Sequence, residues 1–328
     1  MSSQAVNRLI IMSSGRSGST WFAKLFDTHP DVLYRHEPDS VLHHHSLPFH
    51  PAQDEQDTYV DSAREYLKTL EDVRTVKTTM RRPFFEKSFR SPVAEKLHHA
   101  AGYLAALGER LKAPPALTPI PDLMSSDNAP KLLVMKSVSS LGRMALFAEA
   151  DPNARFIHLI RHPAAVAASK LRGVEAGVLK ANSYHEAALT LPEARHYPFT
   201  KEEAAGWSFP EQCTLAWLVF NDTTAASMVN NDHYRAVHYE NFCTNVDIAL
   251  PALFSFSGLS WNNKTQTFLA SLNDTVASNN KHFSIMRPPT ASLYKWKTAL
   301  SPDQIAGIKY ITSYARTRPV REAAQFQD

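Results

Sequence analysis

Residues 7–22 read NRLIIMSSGRSGSTWF and combine a short apolar run, a loop rich in glycine and serine, and the start of a helix. The run at 7–12 is apolar and partly β-branched, which predicts a buried strand. After the loop, aromatic and aliphatic side chains recur at helical spacing as far as His29-Pro30. A glycine-rich loop between a strand and a helix N-terminus typically holds a phosphate-like anion. The stretch therefore predicts an α/β fold with an anion site at its first turn.

This loop departs from the usual phosphate-binding loop, because Gly18 runs directly into two hydroxyl residues with no lysine between them. The backbone N–H groups of residues 16–20 can still converge on an anion at the positive end of the helix. Arg16 adds a planar, permanently charged fork that suits oxyanions. The hydroxyl donors are Ser17, Ser19 and Thr20. An ordinary turn that caps a helix is the alternative interpretation.

A second strand–helix junction carries another arginine and serine. The segment 154–161, ARFIHLIR, predicts a strand that ends in Arg161, and a proline opens the following helix at 163–172. Ser169 lies in that helix, eight positions after Arg161. Together they predict a second anion pocket beside the first, so the ligand would carry phosphates in two places. Taken alone, Arg161 is equally consistent with a surface ion pair.

The remaining patterns predict further strands near 32–35, 131–136 and 234–240, with helices near 59–71, 91–112, 140–150 and 210–230. Strands that alternate with helices indicate a mainly parallel sheet with helices on both faces. We expect a single domain over 1–328 and interpret the less regular region at about 40–130 as an insertion that binds an acceptor.

Composition excludes several classes of protein. The chain has 328 residues, and its formal charge of +3 is too small to argue for nucleic acid. Cys213 and Cys243 make no disulfide framework, and the histidines have no spacing typical of a metal site. No apolar stretch is long enough to span a membrane, and the first strand leaves no room for a leader sequence. We expect a cytoplasmic protein.

These motifs resemble the sulfotransferases that use 3′-phosphoadenosine 5′-phosphosulfate (PAPS), especially the carbohydrate and tyrosylprotein branches. SGRSGSTWF, which ends in Trp21-Phe22, is similar to the 5′-phosphosulfate loop of that family, and HLIRHPAAVAASK is similar to its 3′-phosphate motif. The resemblance extends from about residue 7 to 315 and is weak across 40–130. It implies a P-loop-containing, sulfotransferase-like fold that binds PAPS and releases adenosine 3′,5′-bisphosphate (PAP). The residues that it assigns to the nucleotide are Arg16, Ser17, Gly18, Ser19, Thr20, Trp21, Arg161, Ser169, Tyr239 in VHYENF, and Lys295 and Lys297 in YKWKTALS.

The resemblance also implies catalytic roles for three residues. Glu37, in YRHEPDS, matches the glutamate that arginine-loop members use as the base, and Lys136 with Arg16 would stabilise the departing oxygen. His36 is the alternative base, because the cytosolic branch uses a histidine. Neighbouring side chains on an extended segment point in opposite directions, so we expect His36 to point away from the cleft. Two alternatives remain: Glu37 could only pair with Arg35 or a helix end, and Lys136 could only reach to solvent.

No aspartate ends the strands KLLVM or FIHLI, so the sequence predicts no Walker-type magnesium site. The resemblance implies that the transfer needs no metal. The predicted reaction is in-line transfer of a sulfonate group to an acceptor hydroxyl, on a carbohydrate, a tyrosyl group, a lipid or a small alcohol. Two other functions remain open: a P-loop nucleotide kinase-like phosphotransferase, and a nucleotide-binding protein without catalysis. Arg81, Arg82 and Arg90 could bind an acidic acceptor, although a charged surface is the simpler interpretation.

Overall fold

A computed structural model describes residues 7–112, 120–125, 128–274, 290 and 293–326. Its centre is a five-stranded sheet in the order β2-β3-β1-β4-β5, and all four neighbouring pairs are parallel. The strands are β1 Asn7–Ser13, β2 Val32–His36, β3 Leu132–Ser137, β4 Arg155–Ile160 and β5 Tyr234–His238. The prediction of a mainly parallel α/β sheet is confirmed.

Helices connect the strands and form the layers on either side of them. The described α-helices are α1 Ser19–Asp27, α2 Gln56–Glu71, α3 Val76–Thr79, α4 Pro92–Arg110, α5 Met144–Ala150, α6 Pro163–Glu175, α7 Tyr184–Leu189, α8 Lys201–Ala205, α9 Phe209–Ser227, α10 Tyr239–Thr244, α11 Val246–Phe256, α12 Asn263–Asp274, α13 Trp296–Ala299, α14 Pro302–Thr312 and α15 Arg318–Ala323.

Both faces of the sheet are covered, as the apolar strands require. Alternate residues of β1 point to opposite faces, so Leu9 and Ile11 pack with α1 and α11. Ile10 and Met12 pack with α2 and α5 on the other face. The long helix α9 packs against α6, α7 and α14 in a further layer of the core. Because every central strand is buried on two sides, its sequence is a continuous apolar run rather than an alternating one.

The region expected to be an insertion contributes to this core. Helix α2 lies between β2 and β3 in the chain, and its residues Ala63, Tyr66, Leu67 and Leu70 are buried in the same cluster as β1. It therefore acts as the crossover helix that two parallel neighbouring strands need. A role for the rest of the region in binding an acceptor stays a prediction.

Candidate active site

A cleft of about 660 Å³ opens at the carboxyl ends of the central strands. In an open parallel sheet, ligands bind at this edge, where connections leave in opposite directions. The cleft is reached by both anion motifs, by Glu37 after β2 and by Lys136 of β3. The residues that line it are Gly15, Arg16, Gly18, Ser19, Thr20, Trp21, His36, Glu37, Val76, Lys77, Met80, Arg81, Lys136, Val138, Arg161, Ser169 and Tyr239.

The first loop turns sharply between β1 and α1. Arg16 and Gly18 both have positive φ angles, 76° and 79°, and Gly18 is the N-cap of α1. A Cβ atom at Gly18 would lie 2.4 Å from the ring of Tyr239. Glycine is therefore required both by the left-handed backbone and by the close approach of the aromatic ring. Ser17 is buried, and its hydroxyl lies 2.9 Å from that of Ser14 inside the turn.

The second arginine motif lies directly beside the first loop, since β1 and β4 are neighbours. Arg16 donates from Nε to Ser169 Oγ over 3.0 Å, and Arg161 donates from Nη1 to the Arg16 carbonyl over 3.2 Å. The Arg161 guanidinium also stands 4.9 Å from the Tyr239 ring centre and 3.8 Å from Glu240. Burial, and then the charges of Arg161 and Arg172, lower the pKa of Arg16. Two cations held this close to each other favour an anion between them.

Tyr239 does not lie on a strand, because β5 ends at His238 and α10 begins at Tyr239. Its ring meets Trp21 edge to face, with 6.3 Å between centroids and 83° between planes. The Trp21 indole N–H is buried and has no hydrogen-bond partner among the described residues. The cleft therefore has an aromatic wall next to its two arginines.

Glu37 and Lys136 form an ion pair at the other end of the cleft. The Lys136 side chain is almost fully buried and donates to Glu37 Oε1, while the Glu37 side chain is 18% exposed. The Glu37 backbone N–H also donates to the Lys136 carbonyl over 2.7 Å. Burial alone would raise the pKa of Glu37, but the ammonium group of Lys136 outweighs burial and lowers it. Glu37 is therefore ionised and able to accept a proton.

The expectation that His36 points away from the cleft is wrong. Glu37 has a φ of 47°, so the strand ends there and the two neighbouring side chains turn towards the same space. His36 Nε2 lies 3.9 Å from Glu37 Oε1, and His36 Nδ1 lies 2.9 Å from the Tyr34 hydroxyl. The alternation that holds for extended backbone does not apply to a left-handed residue. Burial, with Lys136 nearby, lowers the pKa of His36 to about 3.

Arg35 does not pair with Glu37. Its guanidinium is buried on the other side of β2, where it pairs with Asp122 and donates to the Glu71 carbonyl. Lys136 is likewise not a solvent-reaching lysine, since it is 1% exposed. These contacts exclude the pairing of Glu37 with Arg35 and the solvent-reaching lysine.

The short helix α3 forms a wall that sequence reasoning missed. Lys77 lies 3.7 Å from Glu37 Oε2 and donates to the Ser40 hydroxyl, and Arg81 lines the cleft with its Nε buried and unpartnered in the described structure. Arg82 and Arg90 lie outside the cleft. Arg82 donates to the Tyr103 hydroxyl, and Arg90 pairs with Glu95. The spacing of four residues between Lys77 and Arg81 was the available signal.

The structure does not bring Lys295 and Lys297 into the cleft. Both are exposed at the start of α13, whose Trp296 stacks on His162 at 4.9 Å and 9°. Tyr294 and Trp296 instead line a separate cavity of about 450 Å³. Residues 275–289, which precede α13, lie outside the described part of the chain. A contact of these lysines with a nucleotide stays a prediction.

Two kinds of feature are absent from the described ranges. They contain no group of three or more His, Cys, Asp or Glu side chains arranged to hold a metal ion. None of the helices described above is both long and apolar enough to cross a membrane. Cys213 and Cys243 are both buried and unbridged.

Comparison with known proteins places this geometry in a family. No curated protein matches the chain. A sulfotransferase domain from the curacin biosynthetic pathway is 16% identical, with 95% of this chain and 98% of that one covered and a TM-score of 0.45. A sulfotransferase domain of the Synechococcus PCC 7002 olefin synthase is 19% identical, with 94% and 96% covered and a TM-score of 0.45. A mouse sulfotransferase complexed with PAP is 12% identical, with 97% and 88% covered and a TM-score of 0.43.

The family model described as "Sulfotransferase family" matches residues 8–263, which include the first loop, Glu37, Lys136, Arg161, Ser169 and Tyr239. That match spans more than half of the chain, so the protein belongs to the sulfotransferase family.

Proposed function

We propose that the protein transfers a sulfonate group from PAPS to the hydroxyl group of an acceptor. The observation that carries this proposal is the convergence of two arginine motifs and a Glu37–Lys136 pair in one cleft. The arginines are joined through the Arg16 carbonyl and the Ser169 hydroxyl, so they form one continuous anion site. Membership of the sulfotransferase family supports the same reaction type.

The two ends of the anion site suit different parts of the donor. The amides and hydroxyls of residues 16–20 sit at the N-terminus of α1 and would bind the 5′-phosphosulfate. Arg161 and Ser169 would bind the 3′-phosphate. Trp21 and Tyr239 offer ring surfaces and an unpartnered indole N–H for the adenosine.

The chain supplies a base for the acceptor hydroxyl and two cations that stabilise the leaving oxygen. PAPS provides the sulfonate group and leaves as PAP. Glu37 accepts the proton of the acceptor hydroxyl as its oxygen bonds to sulfur, and the bond from sulfur to the bridging oxygen breaks with its electron pair on that oxygen. Lys136 and Arg16 donate to the charge that develops there. As Glu37 gains the proton, its attraction for Lys136 weakens, which directs the ammonium group towards the leaving oxygen.

Equilibrium binding tests the nucleotide assignment. PAP should bind in EDTA, with an affinity that falls in Arg161→Ala and is unchanged in Arg110→Ala, a matched arginine exposed near the end of α4. ATP should bind weakly with or without Mg²⁺. Tight binding of ATP that requires Mg²⁺, with no binding of PAP, would instead support the kinase-like alternative.

Single-turnover transfer from labelled PAPS tests catalysis and separates an enzyme from an inactive nucleotide-binding protein. A panel of carbohydrate, tyrosyl, lipid and small alcohol acceptors covers the classes that the sequence leaves open. The labelled sulfonate should pass to at least one class, and PAP should be released in equal amount. Binding of PAP without transfer to any acceptor or to water would favour the inactive alternative.

A further inference from the structure

We propose that Tyr34 and His36 form a positioning pair, in which Tyr34 donates to His36 Nδ1 so that His36 carries its proton on Nε2, facing Glu37. The position of the proton on His36 does not depend on the proposed function, whereas its role in orienting Glu37 rests on the proposed sulfonate transfer. The 3.9 Å between Nε2 and Glu37 Oε1 is longer than a hydrogen bond. A small movement on acceptor binding would let His36 donate to the Glu37 carboxylate and orient it, and His36 would not act as a base.

The Tyr34 hydroxyl determines which nitrogen of His36 holds the proton. Tyr34 is 7% exposed, and its hydroxyl lies 2.9 Å from His36 Nδ1. That nitrogen is the only hydrogen-bond partner of the Tyr34 hydroxyl among the described residues. A buried hydroxyl without an acceptor for its proton destabilises the folded protein. The favoured arrangement therefore has Tyr34 donating and His36 Nδ1 accepting. Burial, with the charges of Asp27 and Glu37 nearby, raises the pKa of Tyr34 and keeps this donor protonated.

A neutral imidazole that accepts on Nδ1 must hold its proton on Nε2. His36 stays neutral because it is buried and because Lys136, Arg81 and Lys24 all disfavour a further positive charge. Its Nε2 lies 3.9 Å from Glu37 Oε1, on the cleft side, and its side chain is 6% exposed. The proton therefore points towards the proposed base and the entering acceptor.

The geometry at Glu37 explains why a second donor matters. Lys136 already donates to Oε1, and among the described residues the ion-pair partner of Oε2 is Lys77, at 3.7 Å. While Glu37 is still ionised, before it takes the acceptor's proton, His36 would give its carboxylate a second, neutral donor that holds its orientation. A neutral donor does this without repelling Lys136, whereas an imidazolium would.

Nitrogen NMR tests the proton assignment without any acceptor. The His36 resonances in long-range ¹H–¹⁵N spectra are identified by their loss in His36→Gln. They should report the Nε2–H form from pH 5 to 8 in the wild-type protein, and a mixture of both forms in Tyr34→Phe. An Nδ1–H ring or an imidazolium at pH 7 in the wild-type protein overturns the proposal.

Two substitutions at His36 separate positioning from base catalysis and from packing. Glutamine places an amide donor near the position of Nε2, whereas asparagine retains only a group near Nδ1. We expect kcat to fall less than about threefold in His36→Gln and about tenfold or more in His36→Asn, with PAP affinity unchanged in both. Tyr34→Phe should lower kcat in the wild-type background and add little in His36→Asn, because the two residues act together.

Equal losses of kcat in the two His36 variants would refute the positioning role, and so would a fall in PAP affinity that parallels kcat. A dead His36→Gln enzyme with normal PAP affinity would make His36 the base. If the wild-type protein neither binds PAP nor transfers sulfonate, the proposed function fails while the NMR result still decides the proton assignment.

Discussion

Glu37→Gln is the sharpest test of the catalytic assignment, because it removes one charge and keeps the size of the side chain. The glutamine can still accept from Lys136, but it cannot take the acceptor's proton. We expect kcat to fall about 10²–10⁴-fold, which corresponds to about 3–5 kcal/mol of transition-state stabilisation. PAP affinity should stay within about threefold of the wild-type value, since Glu37 lies outside the two arginine motifs.

The same substitution should lower the free energy of unfolding. Lys136 is 1% exposed, and removing one partner of a buried ion pair outright typically costs about 3–5 kcal/mol. Glutamine keeps an oxygen acceptor on this lysine, and the Glu37 side chain is partly exposed, so we expect a cost of about 1–2 kcal/mol.

The pH dependence follows from the lowered pKa of Glu37. A carboxyl with a lowered pKa in the folded state stabilises the protein above its unfolded pKa, and this stabilisation is lost as the pH falls through the folded value. The wild-type protein should therefore lose both stability and kcat only below about pH 4, near the ordinary carboxyl range. In Glu37→Gln, stability and kcat should both fall less steeply as the pH drops below about 4.

Single-turnover kinetics with labelled PAPS, calorimetric binding of PAP and chemical unfolding provide these measurements. Glu65→Gln is the matched control, because Glu65 is 72% exposed and pairs with Lys68 on the surface of α2. It should match the wild-type protein in all three assays. A Glu37→Gln enzyme within tenfold of the wild-type kcat, at full PAP affinity, would refute the assignment of the base.

Three further substitutions test the anion site. Arg16→Ala should weaken PAPS binding and slow transfer together, at a cost of about 2–4 kcal/mol, because this group touches the reacting part of the donor; unchanged kinetics would remove the loop from the site. Arg161→Ala should raise the KM for PAPS with little change in kcat, and a defect confined to kcat would contradict its contact with the 3′-phosphate. Gly18→Ala should lower both the melting temperature and PAP affinity, because its Cβ would lie 2.4 Å from Tyr239. Gly177 has a similar positive φ of 66° and no atom within 4 Å of an added Cβ, so Gly177→Ala measures the backbone effect alone and should lower the free energy of unfolding by about 1 kcal/mol. Equal losses of stability in the two variants would argue against a clash at Gly18.

Much of the fold could be predicted from the sequence because buried parallel strands have a direct sequence signal. Continuous apolar runs marked all five strands to within a few residues, and Pro163 marked the start of α6. The order of the strands has no such signal, because it depends on which side of β1 each crossover packs. Helix α2 was predicted as a helix, but its place in the core was not, since surface and crossover helices share the same periodicity.

The site was predictable where it follows strand ends and unpredictable where it depends on a single backbone angle or a distant wall. Arg16 and Arg161 each follow the carboxyl end of a predicted strand, and in a parallel sheet these ends share one edge. The φ of 47° at Glu37 turns His36 into the cleft, and a rule for extended backbone could not anticipate it. Helix α3 has four residues, too few for a periodic pattern, so Lys77 was not singled out. Arg81 was predicted either to bind an acidic acceptor or to lie on a charged surface.

The connections of the sheet explain why the donor and the proposed base meet. The connection from β1 runs through α1 to β2 on one side, and β4 leads through α6 and α9 to β5 on the other, so a crevice opens between β1 and β4. The two arginine motifs lie at that crevice. Lys136 reaches the same edge from β3, the neighbour of β1 on the opposite side, and Glu37 follows β2, the neighbour of β3. The groups proposed to act on the reacting bond therefore follow β1, β3 and β2, whereas Arg161, which is proposed to bind the 3′-phosphate, follows β4. On this arrangement, substitutions at the ends of β2 and β3 should change mainly kcat, and substitutions at the end of β4 should change mainly affinity for the nucleotide.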